Sequence, residues 1–264
     1  MNSFTRSSTS RAGRSVLAIV TAFFLLHTAS AQTETSKPTR TDKPPGVGNV
    51  PEGGWNSAEG KELATLEPRR IAAAIVAADF PTPHMVVQVG ASTGALLETF
   101  LETLPTAHGE WVEAITSEHN VPAAKARLGR FGDRVDFKFG CARRDLGPGC
   151  NLPKDTDVIL IDWLSIQQPL DQMARIYKVA GEKLPSGGWI VNLDHVTFSD
   201  PIWEPLMQTA VKEFRPDLEG PPIHYPQFKV PTAMEQLEAM RAAGFEAQVV
   251  WQSFTTALIM GRKK

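Results

Sequence analysis

Met85-Val86-Val87-Gln88-Val89-Gly90-Ala91-Ser92-Thr93-Gly94, residues 85–94, is the stretch on which the fold turns. Its first half is a compact apolar run ending in glycine. Beyond the second glycine, Leu96, Leu97, Phe100, Leu101 and Leu104 recur at three- and four-residue spacing, so the hydrophobic period changes from strand to helix. Glycine suits such a turn because the chain must leave the strand sharply, and bare backbone is then offered at the mouth of the sheet.

Working outward, the same switch recurs. Trp111 to Thr116 reads as a strand, Pro122 to Phe131 as a helix and Val135 to Phe139 as a strand. Val158 to Ile161 is another buried strand, followed by a helix from Leu170 to Leu184. Pro185-Ser186-Gly187-Gly188 then turns the chain into the strand Trp189 to Leu193. Repeated βα alternation implies a doubly wound, mostly parallel sheet with helices on both faces. Before it, Ala58 to Phe80 is helical in pattern, and Pro68 is expected to divide it into two short helices. After it, Thr232 and Glu235 form a capping box for a helix from Met234 to Ala243 that stops at Gly244. Two strands, Phe245 to Trp251 and Thr255 to Met260, follow too closely for a crossover and read as an antiparallel pair.

This order resembles the class I S-adenosylmethionine-dependent methyltransferases, a Rossmann-like α/β family with a seven-stranded sheet whose last strand is antiparallel. The resemblance covers Trp55 to Lys264 and is carried by residues 86–94, by Glu118 after the second strand, by 157–163 at the fourth and by 184–188 before the fifth. It implies S-adenosylmethionine as cofactor, held by Gly90, Ala91, Ser92, Gly94, Glu118, Cys141 and Asp162. Glu118 falls where the family's carboxylate receives both ribose hydroxyls, a task that suits a group accepting two hydrogen bonds at once. Gln88 stands where the family often has an acid, and Cys141 where many members carry the aspartate that contacts the adenine amino group. A dinucleotide site is the natural rival, but its fingerprint requires glycine at Ser92, where bulk would meet the pyrophosphate.

Methyl transfer is an in-line displacement at activated carbon, so the protein mainly holds the nucleophile in place and excludes water. A base helps when the acceptor is a hydroxyl or phenol. Asp194-His195 follows the fifth predicted strand, which makes His195 the candidate general base. Asp162-Trp163 follows the fourth, giving Asp162 a catalytic or cofactor role and letting Trp163 shield the sulfonium or face the substrate. The plainer readings are a turn cap for Asp162, core packing for Trp163 and a surface position for His195. The stretch from Phe198 to Val230, with Trp203, Phe214, His224, Tyr225 and Phe228 among prolines, either covers the substrate or forms a packed lobe.

The 264-residue chain has a formal net charge of −2 and no basic stripe, so no nucleic-acid partner is expected. Arg6, Arg11 and Arg14 precede the apolar run Val16 to Leu26 and the small-residue site Ala29-Ser30-Ala31, the pattern of a secretory signal peptide over residues 1–31. A mitochondrial presequence would be amphipathic, whereas this block is continuous. An uncleaved anchor would also leave the domain on the exported side. Residues 32–54, rich in Thr, Pro, Gly and Lys, read as a disordered linker, and residues 55–264 as the methyltransferase-like domain. Stable membrane insertion after cleavage is not expected. Export would place Cys141 and Cys150 where a pair tends to join, and their spacing does not suit a metal site.

Two functions follow. One is a methyltransferase acting on a small-molecule acceptor, with O-methylation preferred. The other is an exported, non-catalytic module binding a nucleoside or S-adenosylmethionine. The second draws on location, since the methyl donor is made in the cytosol.

Overall fold

The computed structural model describes residues 65–90, 93–113, 120–139, 152–164, 168–214 and 229–264. The expected signal peptide and linker lie outside them, as do Ala91, Ser92, Glu118, Cys141, Cys150, His224, Tyr225 and Phe228.

Five parallel strands form the body of the sheet: β1 (Met85–Val89), β2 (His108–Glu113), β3 (Val135–Phe139), β4 (Thr156–Asp162) and β5 (Trp189–His195). A hairpin of β6 (Phe245–Ser253) and β7 (Thr256–Lys263) adds β7 antiparallel to β5. The order β3-β2-β1-β4-β5-β7-β6 is the doubly wound arrangement the sequence predicts, with its reversal point between β1 and β4. Helices α1 (Leu66–Asp79), α2 (Ala95–Thr103) and α3 (Asn120–Leu128) cover one face. Helices α4 (Leu170–Lys183) and α6 (Ala233–Ala242) cover the other, while α5 (Trp203–Phe214) lies between β5 and α6 in sequence.

Each face has its own apolar core, with alternate strand residues divided between them. Val86, Trp111, Leu160, Val191 and Leu193 pack with α1, α2 and α3. Val87, Val112, Ile161, Ile190 and Ile259 pack with α4 and α6. The capping box at α6 is present, with Glu235 N–H donating to Thr232 Oγ1 at 3.0 Å and Thr232 N–H to Glu235 Oε2 at 2.8 Å.

Three expectations are corrected and one stretch gains an element. Pro68 does not interrupt α1: it lies in the first turn, where an N–H has no intrahelical partner to lose. The second strand begins at His108, earlier than its apolar residues suggest, because Gly109 leaves room for Leu97 and Leu101 to close over it. Residues 203–214 form a helix within the predicted insertion, and Ile202, Trp203 and Leu206 are exposed there. Finally, Asp162, Asp194 and His195 belong to their strands and do not follow them. Pairing with β7 carries β5 on to His195, which lies opposite Thr256.

Candidate active site at the sheet reversal

The carboxyl ends of β1, β4 and β5 stand side by side, with Val89 paired to Ile161 and Asp162 to Leu193. This is where ligands bind in open α/β sheets. Gly90 leaves β1 at φ +111, a conformation that L side chains rarely adopt. A Cβ there would sit 2.8 Å from the Asp162 carbonyl oxygen, so glycine is what lets the ends of β1 and β4 close together. Gly94, at φ +81 before α2, is required in the same way by Leu128, whose Cδ1 would lie 2.8 Å from an added Cβ. Both glycines therefore answer first to packing within the protein, and through it fix the shape of the turn.

Gln88 holds that turn from below. It is fully buried, and its Oε1 accepts the Leu97 N–H at 3.0 Å, satisfying one donor of the first turn of α2. Its Nε2 is buried among the described residues without a hydrogen-bond partner, an unused donor beside the start of α2. An acceptor group on a ligand would fit that donor.

Asp162, 3% exposed, ends β4 on the face that carries α1 and α2. Trp163 follows it at φ +54, with its N–H donating to Leu193 O at 3.2 Å. Its ring meets the His195 imidazole edge to face, with centroids 4.7 Å apart. His195 Nδ1 lies 2.7 Å from the carbonyl oxygen of Thr255, which can only accept, so Nδ1 carries the proton in the neutral ring and Nε2 bears the lone pair. The structure thus joins Gly90, Asp162, Trp163 and His195 at one end of the sheet and puts Gly94 at the start of the neighbouring helix.

Sequence reasoning did not find what anchors this end from behind. Tyr177 on α4 donates to Gln236 Oε1 at 2.6 Å, and Asn192 Nδ2 on β5 donates to Tyr177 Oη at 2.9 Å and to Gln236 Oε1 at 2.7 Å. Burial, together with the nearby Asp194 carboxylate, pushes the Tyr177 phenol well above its ordinary range, so it remains a neutral donor. Asp194, 1% exposed, accepts the His195 N–H at 2.8 Å and so holds the last residue of β5. The sequence signal was polar residues at alternate positions of a buried strand, Asn192 and Asp194.

No protein-family model matches the chain, and no curated protein matches it in sequence. Among solved structures, an O-methyltransferase family 2 protein from Planctomyces limnophilus in complex with apigenin superposes with a TM-score of 0.53 at 18% identity, covering 79% of this chain and 62% of that one. The S-adenosylhomocysteine-bound form of CalO1, a methyltransferase of calicheamicin biosynthesis, gives 0.51 at 20% identity, over 78% and 56%. A "possible exported protein" of Bordetella parapertussis gives 0.55 at 13% identity, over 75% and 68%. The fold is that of the class I S-adenosylmethionine-dependent methyltransferases. The chain spans about three-fifths of the length of the two methyltransferase structures.

Proposed function

We propose that this protein is an S-adenosylmethionine-dependent methyltransferase acting on a small molecule, with a hydroxyl or phenol as acceptor. The observation that carries the reading is the placing of His195, with its ring fixed as the Nδ1–H tautomer, beside Trp163 at the sheet end where Gly90 turns the chain.

The cofactor would supply a methyl group activated by a sulfonium. The backbone of the Gly90 turn and the Asp162 carboxylate would hold it, together with Ala91, Ser92, Gly94, Glu118 and Cys141 on the family resemblance. The face of Trp163 suits a cation. His195 Nε2 would take the acceptor proton, while the Thr255 carbonyl keeps the ring in place.

We further propose export directed by residues 1–31, on the strength of Arg6, Arg11 and Arg14, the apolar run and Ala29-Ser30-Ala31. Among the described residues no helix is long and apolar enough to cross a membrane. A mature chain beginning at Gln32, read by mass spectrometry, would support export, and an intact Met1 would oppose it.

Gln88 favours a second reading, a binding module without transfer chemistry, because its Oε1 is committed to capping α2 where the family often has an acid. Calorimetry with S-adenosylmethionine and S-adenosylhomocysteine, run beside a methyl-transfer assay on phenolic and hydroxylated acceptors, separates the two. Binding with transfer supports the enzyme. Binding without transfer supports the module, and no binding refutes both.

A further inference from the structure

Two residues other than glycine hold a positive φ among the described residues, Trp163 at +54 and Phe254 at +50, and both are aromatic. A bulky side chain on such backbone is a conformational outlier that persists only where something holds it. Trp163 follows β4 and Phe254 precedes β7, and these strands are the two neighbours of β5. His195, the last residue of β5, is where they converge. The Trp163 ring lies 4.7 Å from the imidazole, centroid to centroid.

Phe254 and Thr255 form the turn between Ser253 and Thr256, which pair across the hairpin. Thr256 also pairs with His195, so the antiparallel strand brings this turn to the carboxyl end of β5, at the level of the candidate site. Thr255 ties it there. Its carbonyl accepts the Val196 N–H at 2.8 Å and lies 2.7 Å from His195 Nδ1. A positive φ at the first turn residue and not at the second is the sign pattern of a type II′ turn, whose first position favours glycine. Glycine would make the same turn without strain. Phe254 is half-buried and belongs to neither apolar core of the described residues, so the fold gains little from its ring. A costly aromatic side chain that the packing does not require, one residue from the His195 anchor, points to a ligand contact.

We propose that Phe254 is a binding residue for the methyl acceptor and, resting on the reading above, that this acceptor is a flat aromatic ring bearing the hydroxyl whose proton His195 takes. Phe254 would lie against the ring and set its plane, so that the hydroxyl meets His195 Nε2. No bond is made or broken at Phe254 itself.

The test is calorimetry of the wild-type protein, Phe254→Gly and Phe254→Leu with S-adenosylhomocysteine and, in its presence, with two alcohols. 2-Naphthol offers an aromatic face, and decahydro-2-naphthol keeps its hydroxyl and carbon skeleton without one. The wild type should favour 2-naphthol about tenfold, and both variants should cut that preference to about threefold or less while binding S-adenosylhomocysteine as before. Phe254→Gly should also raise the urea midpoint by relieving the turn, whereas Phe254→Leu keeps the strain and should not raise it. An unchanged preference in either variant would overturn the proposal, whatever the midpoint does. A parallel loss of S-adenosylhomocysteine binding would make Phe254 a structural residue and overturn it too. A wild type that binds S-adenosylhomocysteine but ignores 2-naphthol, or takes both alcohols equally, would overturn it and leave the donor reading intact. A wild type that does not bind S-adenosylhomocysteine would bring down the donor reading and this inference together.

Discussion

The two ends of the sheet are built on opposite terms. At the end where the parallel strands begin, polar groups are matched and close the structure. Asp79 receives Arg262 and Trp189, the His84 N–H donates to Asp157 Oδ2 at 2.6 Å, and Gly187 and Gly188 exchange backbone hydrogen bonds with Lys263. Arg134 spreads its guanidinium over the carbonyls of Leu101, Leu104 and Ala107, the last of which accepts at 2.9 Å. At the other end, Gly90 and Trp163 hold left-handed backbone, and Gln88 keeps a buried donor unused among the described residues. Backbone strain and an unused buried donor are expensive, and they persist only where surrounding structure holds them in place. One end supplies stability, and the other uses it.

If that division is right, substitutions at the two ends should fail in different assays. The largest effect belongs to His195→Ala. Loss of a general base lowers turnover by about 10²–10⁴-fold, while affinity for S-adenosylhomocysteine and the urea midpoint should change little. Turnover within twofold of wild type would remove His195 from the chemistry. Next comes Gly90→Ala, which combines a positive φ with a contact on the Asp162 carbonyl and should cost about 2–4 kcal/mol in urea unfolding. It should also abolish ligand binding under conditions where the variant is still folded. A variant that kept full affinity would separate the turn from the ligand site.

How much of this was legible follows the range of the interactions. The β1–α2 switch, the α6 capping box and the stop at Gly244 are written within a few residues of themselves, and each is found where the periodicity predicts it. The extension of β5 through Asp194 and His195 depends on pairing with Ala257 and Thr256, some sixty residues on, and nothing local announces it. Helix α5 was visible in principle, since Trp203, Leu206, Met207, Ala210 and Phe214 repeat at helical spacing. Read as a cover for the substrate or a packed lobe, the stretch was assigned no helix. The burial of Arg69 in α1 was illegible for a simpler reason: a charged residue in an alanine-rich helix reads as its solvated face until the packing shows otherwise.

At the stabilising end, Arg134→Met should lower stability by about 1.5–3 kcal/mol. It removes charge-assisted hydrogen bonds to carbonyls at the end of α2 and in the turn beyond it, and supplies no donor in return. Affinity for S-adenosylhomocysteine, measured by calorimetry, should stay at the wild-type value. A loss of affinity matching the loss of stability would show the two ends to be coupled.

The smallest effect probes an exception to the division. Glu110 lies on β2 in the half that should be well matched, yet it is buried, with Lys138 Nζ only at 3.7 Å. Desolvation raises its pKa above the ordinary carboxylate value of 4.5, outweighing the attraction of Lys138, with Asp136 adding repulsion. The folded state therefore holds the proton more tightly than the unfolded chain. Its relative stabilisation is complete below the unfolded pKa and is lost as pH rises through the folded one. Glu110→Gln keeps the shape without the charge, so it should stabilise the protein at pH 7, by less than about 1 kcal/mol because Lys138 offsets part of the cost. The gain should shrink as the urea midpoint is followed down through pH 4.5. A substitution that destabilises at pH 7 would mean that the Lys138 pair outweighs burial, and the matched half of the sheet would then extend through Glu110.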